Sequence, residues 1–116
     1  RLARQEILFV SGNASIVGHR TMHPGDAAAQ TREALANVAA VLAEANRRAR
    51  SAPYRIDDLA CRVYLRHATD FAAVSEVLDP MLGAGAPTVC IRGDICRSDL
   101  LVEIEATASR DLETTR

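Results

Sequence analysis

Cys96-Arg97-Ser98-Asp99-Leu100-Leu101-Val102-Glu103-Ile104-Glu105-Ala106-Thr107-Ala108 is the stretch whose reading decides the fold. From Leu100 onward it alternates with a period of two. Leu100, Val102, Ile104 and Ala106 point one way, and Leu101, Glu103, Glu105 and Thr107 point the other. Two carboxylates two residues apart therefore share one face of a strand. Acidic residues are depleted in strands, so the pair has two readings. One is a solvated sheet face. The other is a carboxylate fixed on a rigid element at the wall of a cleft, where burial tunes it for proton transfer.

Outward from this strand the neighbouring elements follow in turn. Gly93-Asp94 is a turn, and Val89 and Ile91 on either side of Cys90 mark a strand from Thr88 to Arg92. Cys90 has the opposite phase and is expected to face an interface. Upstream, Leu59, Cys61, Val63 and Leu65 alternate with Ala60, Arg62, Tyr64 and Arg66, which makes an amphipathic strand with Cys61 in the core. Between the two, Thr69 or Asp70 caps a helix with Phe71, Val74, Val77, Leu78 and Met81 as its apolar stripe. Pro80, Gly83 and Gly85 bring it to an end.

Asp26 is a natural N-cap for a longer helix from about Ala27 to Arg48. Thr31, Leu35, Val38, Leu42 and Ala45 form its buried stripe, widened by Ala28, Ala39 and Val41. Gln30, Arg32, Glu33, Glu44, Arg47 and Arg48 read as its wetter side. Before it, Ile7 to Ser11 is a short strand, Gly12-Asn13 a tight hairpin turn, and Ala14 to Val17 the returning strand. Gly18 to Gly25 is a loop by composition, with His19, Arg20 and His23 available to wall a pocket. The tail after Ser109 is charged, lacks a core pattern and is expected to fray.

Two helices on one face of a mixed sheet make a two-layer α+β domain. One domain is expected over residues 1–116, with its core at about 7–108. The other sheet face, with Arg62, Tyr64, Arg66, Glu103 and Glu105, is left for solvent or for other subunits. A net charge of −1 and 3% aromatic residues leave no footprint for nucleic acid, RNA cleavage included. No apolar run approaches the ~20 residues of a membrane span. Three cysteines without a zinc or disulfide-exchange spacing, and no signal peptide, point to free thiols in the cytoplasm. His19 and His23 stand four apart in a loop without a third ligand, so neither a metal nor a cofactor is expected.

Four blocks carry a family pattern: Gln30 to Val38, Val63-Tyr64-Leu65, Asp70 to Val74, and Val102-Glu103-Ile104-Glu105-Ala106. Together they resemble the YjgF/YER057c, or RidA, superfamily, also called endoribonuclease L-PSP. The resemblance runs from about Ile7 to Ala108. It implies a chorismate-mutase-like fold and a homotrimer whose open sheet faces close a central barrel, with clefts between subunits. It also implies hydrolysis of enamines and imines, with an arginine gripping the substrate carboxylate and a glutamate handling a water or proton. Glu103 matches the glutamate. Thr88 falls at the arginine position, and a hydroxyl cannot replace a bidentate guanidinium.

Ser11 to His19, together with Asp94 to Glu105, is similar to the catalytic C-terminal half of chorismatases. Those enzymes cleave the enolpyruvyl ether of chorismate. This second resemblance implies Glu103 as general acid, Cys96 lining the ring site and Gly12 leaving it room. His19 becomes a polar group of the pocket, and Arg20 and Arg97 become candidates for binding a ligand carboxylate. Chorismatases carry a second, related half, so a missing second domain is one expectation. Three functions follow: a chorismatase-like enzyme acting on a small carboxylated cyclic or enol-ether molecule, an imine or enamine deaminase, and a catalytically silent ligand-binding homotrimer.

Overall fold

The computed structural model describes residues 4–83 and 87–112. Its strands are β1 (Arg4–Ala14), β2 (Ile16–Val17), β3 (Arg20–Thr21), β4 (Ala60–Leu65), β5 (Thr88–Arg92) and β6 (Val102–Leu112). Its helices are α1 (Ala27–Asn46) and α2 (Phe71–Leu82). The main sheet runs β1-β6-β4-β5. β6 is antiparallel to both its neighbours, and β4 is parallel to β5, so the sheet is mixed. The parallel pair needs a crossover, which α2 provides. Both helices pack on one face, as expected for a two-layer α+β domain.

Period-two alternation decides what each strand buries. Cys61, Val63 and Leu65 of β4 and Val102, Ile104 and Ala106 of β6 point into the helix layer. Val63, Val102 and Ile104 are fully buried, each removing roughly 1.5–3 kcal/mol of apolar transfer cost from water. Asp26 caps α1 by accepting the Ala29 amide at 3.0 Å. Val38, Leu35 and Leu42 face the sheet, with Ala34 and Ala27 permitting close approach. Ala39 and Val41 lie on the exposed side, so the stripe is narrower there than expected. In α2, Val74, Leu78 and Leu82 are buried, while Phe71 and Met81 face outward.

Four further expectations are corrected. Gly12-Asn13 is not a hairpin turn. β1 continues to Ala14, and between Val10 and Asn13 its register with β6 gains one residue, which is a β-bulge. The real hairpin is smaller, β2 to β3 around Gly18-His19, where Gly18 adopts φ 64°. Cys90 faces the helix layer opposite Val63, and Val89 and Ile91 are the exposed pair. A parallel neighbour dictates that phase, which the strand alone does not reveal.

Gln30 belongs to the buried side of α1, and its side chain spans the gap between two loops. The tail does not fray at Ser109: β6 runs on to Leu112, paired with Arg4. Arg110 stacks its guanidinium 4.2 Å from the Tyr54 ring, bonds the Ala52 carbonyl and reaches Asp58 at 2.9 Å. The residues after Leu112, and Gly85 with its expected helix-stop role, lie outside the described residues.

Among the described residues, no helix covers the second face of the main sheet. Ile7, Phe9, Val89 and Ile91 are exposed on it, alongside Arg62, Tyr64, Glu103 and Glu105. No helix among the described residues is long and apolar enough to cross a membrane.

Candidate active site around Glu103

Glu103 is the second residue of β6, on a rung with Ala14 of β1 and Tyr64 of β4. Its side chain takes the open-face phase and is half-buried. Two residues along, Glu105 receives the Tyr64 hydroxyl at 2.9 Å and the Arg62 guanidinium at 3.2 Å. Glu105 is thus a cross-strand ion-pair partner of Arg62, which the sheet register places directly opposite it. That hydrogen bond, with burial second, pushes the Tyr64 phenol above its ordinary pKa. Among the described residues, the Glu103 carboxylate has neither an ion pair nor a hydrogen bond.

What Glu103 has beside it is Gly12. A Cβ built on Gly12 would stand 2.5 Å from Glu103 Oε2 and 2.8 Å from Cδ. No alanine fits there without turning the carboxylate away. Gly12 does not have positive φ, so its value lies in space, not backbone freedom. The bulge in β1 is what aims it: without the extra residue after Val10, a different residue would oppose the start of β6.

A hollow of about 250 Å³ is lined by Phe9, Ser11, Arg62 and Glu105 among others; it lies at the Arg62–Glu105 rung, and Glu103 is not part of its lining. Another, of about 350 Å³, is lined by Arg66, Arg92, Gly93 and Asp94. The Glu103–Tyr64 rung falls between the two along β4, since Arg62 and Arg66 flank Tyr64.

Two loops meet near the start of β6. Arg97 donates to the His19 carbonyl at 2.7 Å and to the Thr21 hydroxyl at 3.3 Å. Thr21 in turn donates to Asp99 at 3.1 Å. The structure therefore brings His19 and Arg97 together, with Cys96 next in sequence carrying an exposed free thiol. Arg20 is exposed at the start of β3. His23 is held in the loop by Glu33 at 3.4 Å, with φ 55°. Burial raises the Cys61 thiol pKa. Burial, with Asp79 adding to it, raises that of Cys90.

Thr88 is not part of this group. It shares a rung with Cys61 and Ala106, three residues along β6 from Glu103 and two strands over. Ordinary strand spacings put it about 14 Å from Glu103 within one chain. It is also in phase with Cys90, toward the helix layer rather than the open face. Among the described residues, no cluster of three His, Cys, Asp or Glu side chains is placed to hold a metal ion.

Two residues went unrecognised in the sequence as supports of these loops, Gln30 and Arg66. The available signal for Gln30 was its phase: it adjoins Thr31 and sits one turn from Ala27 and Ala34, all buried. A polar side chain in a buried helical phase must find partners. Arg66 ends the alternation of β4 and gave no such sign.

Compared with known proteins, the Endoribonuclease L-PSP family model matches residues 2–110. This chain belongs to that family, the RidA superfamily. Its RidA relatives include chorismatases. It is 43% identical over 101 residues to 3-hydroxybenzoate synthase of Streptomyces hygroscopicus, covering 84% of this chain and 30% of that protein. It is 40% identical over 105 residues to the chorismatase of Streptomyces rapamycinicus, covering 88% and 31%. A crystal structure of chorismatase superposes with a TM-score of 0.80 at 39% identity, over 88% of this chain and 32% of that one. The Rid family protein YyfB of Yersinia pestis, of unknown function, gives 0.72 at 26%, over 88% and 77%. This RidA chain therefore spans about a third of the length of the curated relatives it first matches.

Proposed function

We propose that this RidA-family chain is a small-molecule enzyme with a chorismatase-like cleft, in which Glu103 is the general acid. The observation that carries this reading is the unpartnered Glu103 carboxylate on a rigid strand, with space cleared for it by Gly12. A carboxylate with no structural duty beside a glycine whose missing Cβ leaves it room is an arrangement suited to proton transfer. The likeness to 3-hydroxybenzoate synthase and chorismatase supports the choice of an enol-ether substrate carried on a carboxylated ring.

In this mechanism Glu103 gives its proton to the methylene carbon of the enol ether. The resulting oxocarbenium carbon takes up water, which returns a proton to Glu103. The hemiketal then collapses to pyruvate and the ring alcohol. Alternatively, the ring loses a proton to Glu103 as its C–O bond to the oxocarbenium group breaks, which releases pyruvate and leaves an aromatic ring. Gly12 leaves room beside the acid, and Cys96 and His19 line the ring site. Arg97 and Arg20 supply cations for the substrate carboxylates. Thr88 is a substrate contact only if a neighbouring subunit presents it, since it lies far from Glu103 within one chain. The exposed Ile7, Phe9, Val89 and Ile91 support a homotrimer that covers the open face.

The test is release of pyruvate from chorismate by the purified chain, compared with Glu103→Gln. Turnover that the variant loses supports the proposal. If 2-iminobutyrate instead yields ammonia in a Glu103-dependent reaction, the protein is an imine deaminase and the enol-ether reading is wrong. Binding of chorismate with neither product identifies a silent ligand-binding protein.

A further inference from the structure

The loop from Ile95 to Leu101 leads directly into Glu103 and carries Cys96 and Arg97, yet it makes little structure of its own. Its one internal backbone bond among the described residues is from the Leu100 amide to the Arg97 carbonyl, at 3.1 Å. The Leu101 carbonyl accepts the Arg66 backbone amide at 3.1 Å, and two side chains from elsewhere in the fold bind five more backbone groups. Arg66 donates Nε–H to the Leu100 carbonyl at 2.9 Å. Its Nη2 donates to the carbonyls of Ile95 at 2.8 Å and Arg97 at 2.7 Å. Gln30 receives the Leu101 amide at 2.7 Å and donates to the Asp99 carbonyl at 2.8 Å. Five backbone groups of a seven-residue segment are therefore held by two side chains.

The chemistry at each position is specific. Three carbonyls converging from different directions need a planar fork of N–H donors, which only arginine offers. Lysine has one nitrogen and reaches fewer of them. At position 30 the side chain must accept from an amide and donate to carbonyls at once, which only a carboxamide does. The same Gln30 amide group also donates to the His23 carbonyl at 3.2 Å, so it ties the loop of His19 and Arg20 to that of Cys96. Gln30 is wholly buried, and Arg66 is mostly enclosed, with an ion pair to Asp94 at 3.7 Å. Ile95 and Leu100 add a small apolar anchor with Ala14 and Ile16. That anchor fixes how far the loop sits from the sheet, but not which way its peptide groups turn.

We propose that Arg66 and Gln30 are positioning residues of the Glu103 site. Together they set the peptide orientations of Ile95–Leu101, and through Leu101 and Val102 the direction in which Glu103 leaves the sheet. The Arg66 charge is spent on carbonyls and does not bind substrate. Its role in turnover rests on the reading of Glu103 as the acid, whereas its hold on the loop does not.

The experiment uses the full chain and four variants: Arg66→Lys, Arg66→Ala, Gln30→Glu and, as a control, Arg110→Lys. Arg110 is braced about 23 Å away along β6 and touches none of the site. Amide exchange of Leu100 and Leu101 is expected to rise at least about tenfold in the Arg66 and Gln30 variants. Exchange of Ile104 should stay as in the parent, and the control should leave all three alone. With chorismate, Arg66→Lys is expected to lower kcat about 10- to 100-fold with KM within about threefold. Millimolar ethylguanidinium should restore kcat in Arg66→Ala, and methylammonium should not. Unchanged exchange at Leu100 and Leu101 overturns the proposal, as does a raised KM with kcat intact, which would make Arg66 a substrate ligand. If the parent chain releases no pyruvate, the enol-ether reading fails, and the exchange measurement still decides whether these two side chains set the loop.

Discussion

The ribbon of β1 and β6 holds a carboxylate at each end, and the two live in opposite circumstances. At one end Glu6 accepts the Ser51 hydroxyl at 2.6 Å, the Arg50 amide at 2.7 Å and the Tyr54 hydroxyl at 2.8 Å. Those donors, the Ser51 hydroxyl foremost, pull its pKa down to about 2. It stitches the chain after α1 to the sheet, while Arg110 on the next strand braces Tyr54 from the other side. At the other end Glu103, seven residues along β6 from the rung of Glu6, has no such partner among the described residues and faces a glycine instead. Three donors stabilise the ionised form of Glu6, whereas the Glu103 carboxylate has no protein donor among the described residues and is free to meet a ligand. One end of the ribbon ties the chain after α1 to the sheet; the other is the end where the proposed acid stands.

Substitutions at the two ends should therefore separate activity from stability. Glu103→Gln is expected to reduce pyruvate release by about 10²–10⁴-fold, the range lost with a general acid. Its unfolding free energy should stay within about 0.5 kcal/mol of the parent in urea titrations. A large loss of stability would mean that Glu103 is structural. Gly12→Ala should cost about 10²-fold in kcat, because the added methyl displaces the carboxylate by an ångström or more. It should fold nearly as well as the parent, since the group that must give is the far end of a flexible side chain.

Glu6→Gln should do the reverse, lowering Tm and leaving turnover alone. Its pH dependence has a definite sign. The folded pKa lies below the unfolded value, so the stabilisation is complete above about pH 4.5 and is lost as pH falls toward about 2. Over that window the parent should lose stability more steeply than Glu6→Gln in acid titrations followed by circular dichroism. Equal slopes would show that the three donors do nothing for the ion. The smallest effect belongs to the tyrosines. Both are shifted upward, Tyr54 chiefly by burial and Tyr64 chiefly by its bond to Glu105. An ultraviolet titration should place their ionisation above the ordinary value of about 10, and Glu105→Gln should bring one of the two back toward it.

Much of the scaffold was legible in the chain alone. The alternation in Leu59–Leu65 and Leu100–Ala106, the Asp26 cap and the phase of Val38 and Leu42 are local patterns, and local backbone geometry obeys them. What that periodicity missed depends on partners far away in sequence. The register gain that turns Gly12 toward Glu103 exists only in the pairing of β1 with β6. The face of Cys90 is dictated by its parallel neighbour Val63. The bonds of Gln30 and Arg66 to the 95–101 loop cross 29 to 71 residues; the buried phase of Gln30 calls for partners but does not say which, and Arg66 carries no local sign at all.

By itself, then, the sequence determined which residues of β4 and β6 point inward, and that Glu103 and Glu105 stand on the open face. The tertiary structure alone decided that Glu103 has no partner among the described residues while Glu6 is saturated. The physical reason is that burial follows from spacing along one strand, whereas the state of a charged group is set by whichever donors the rest of the chain brings to it.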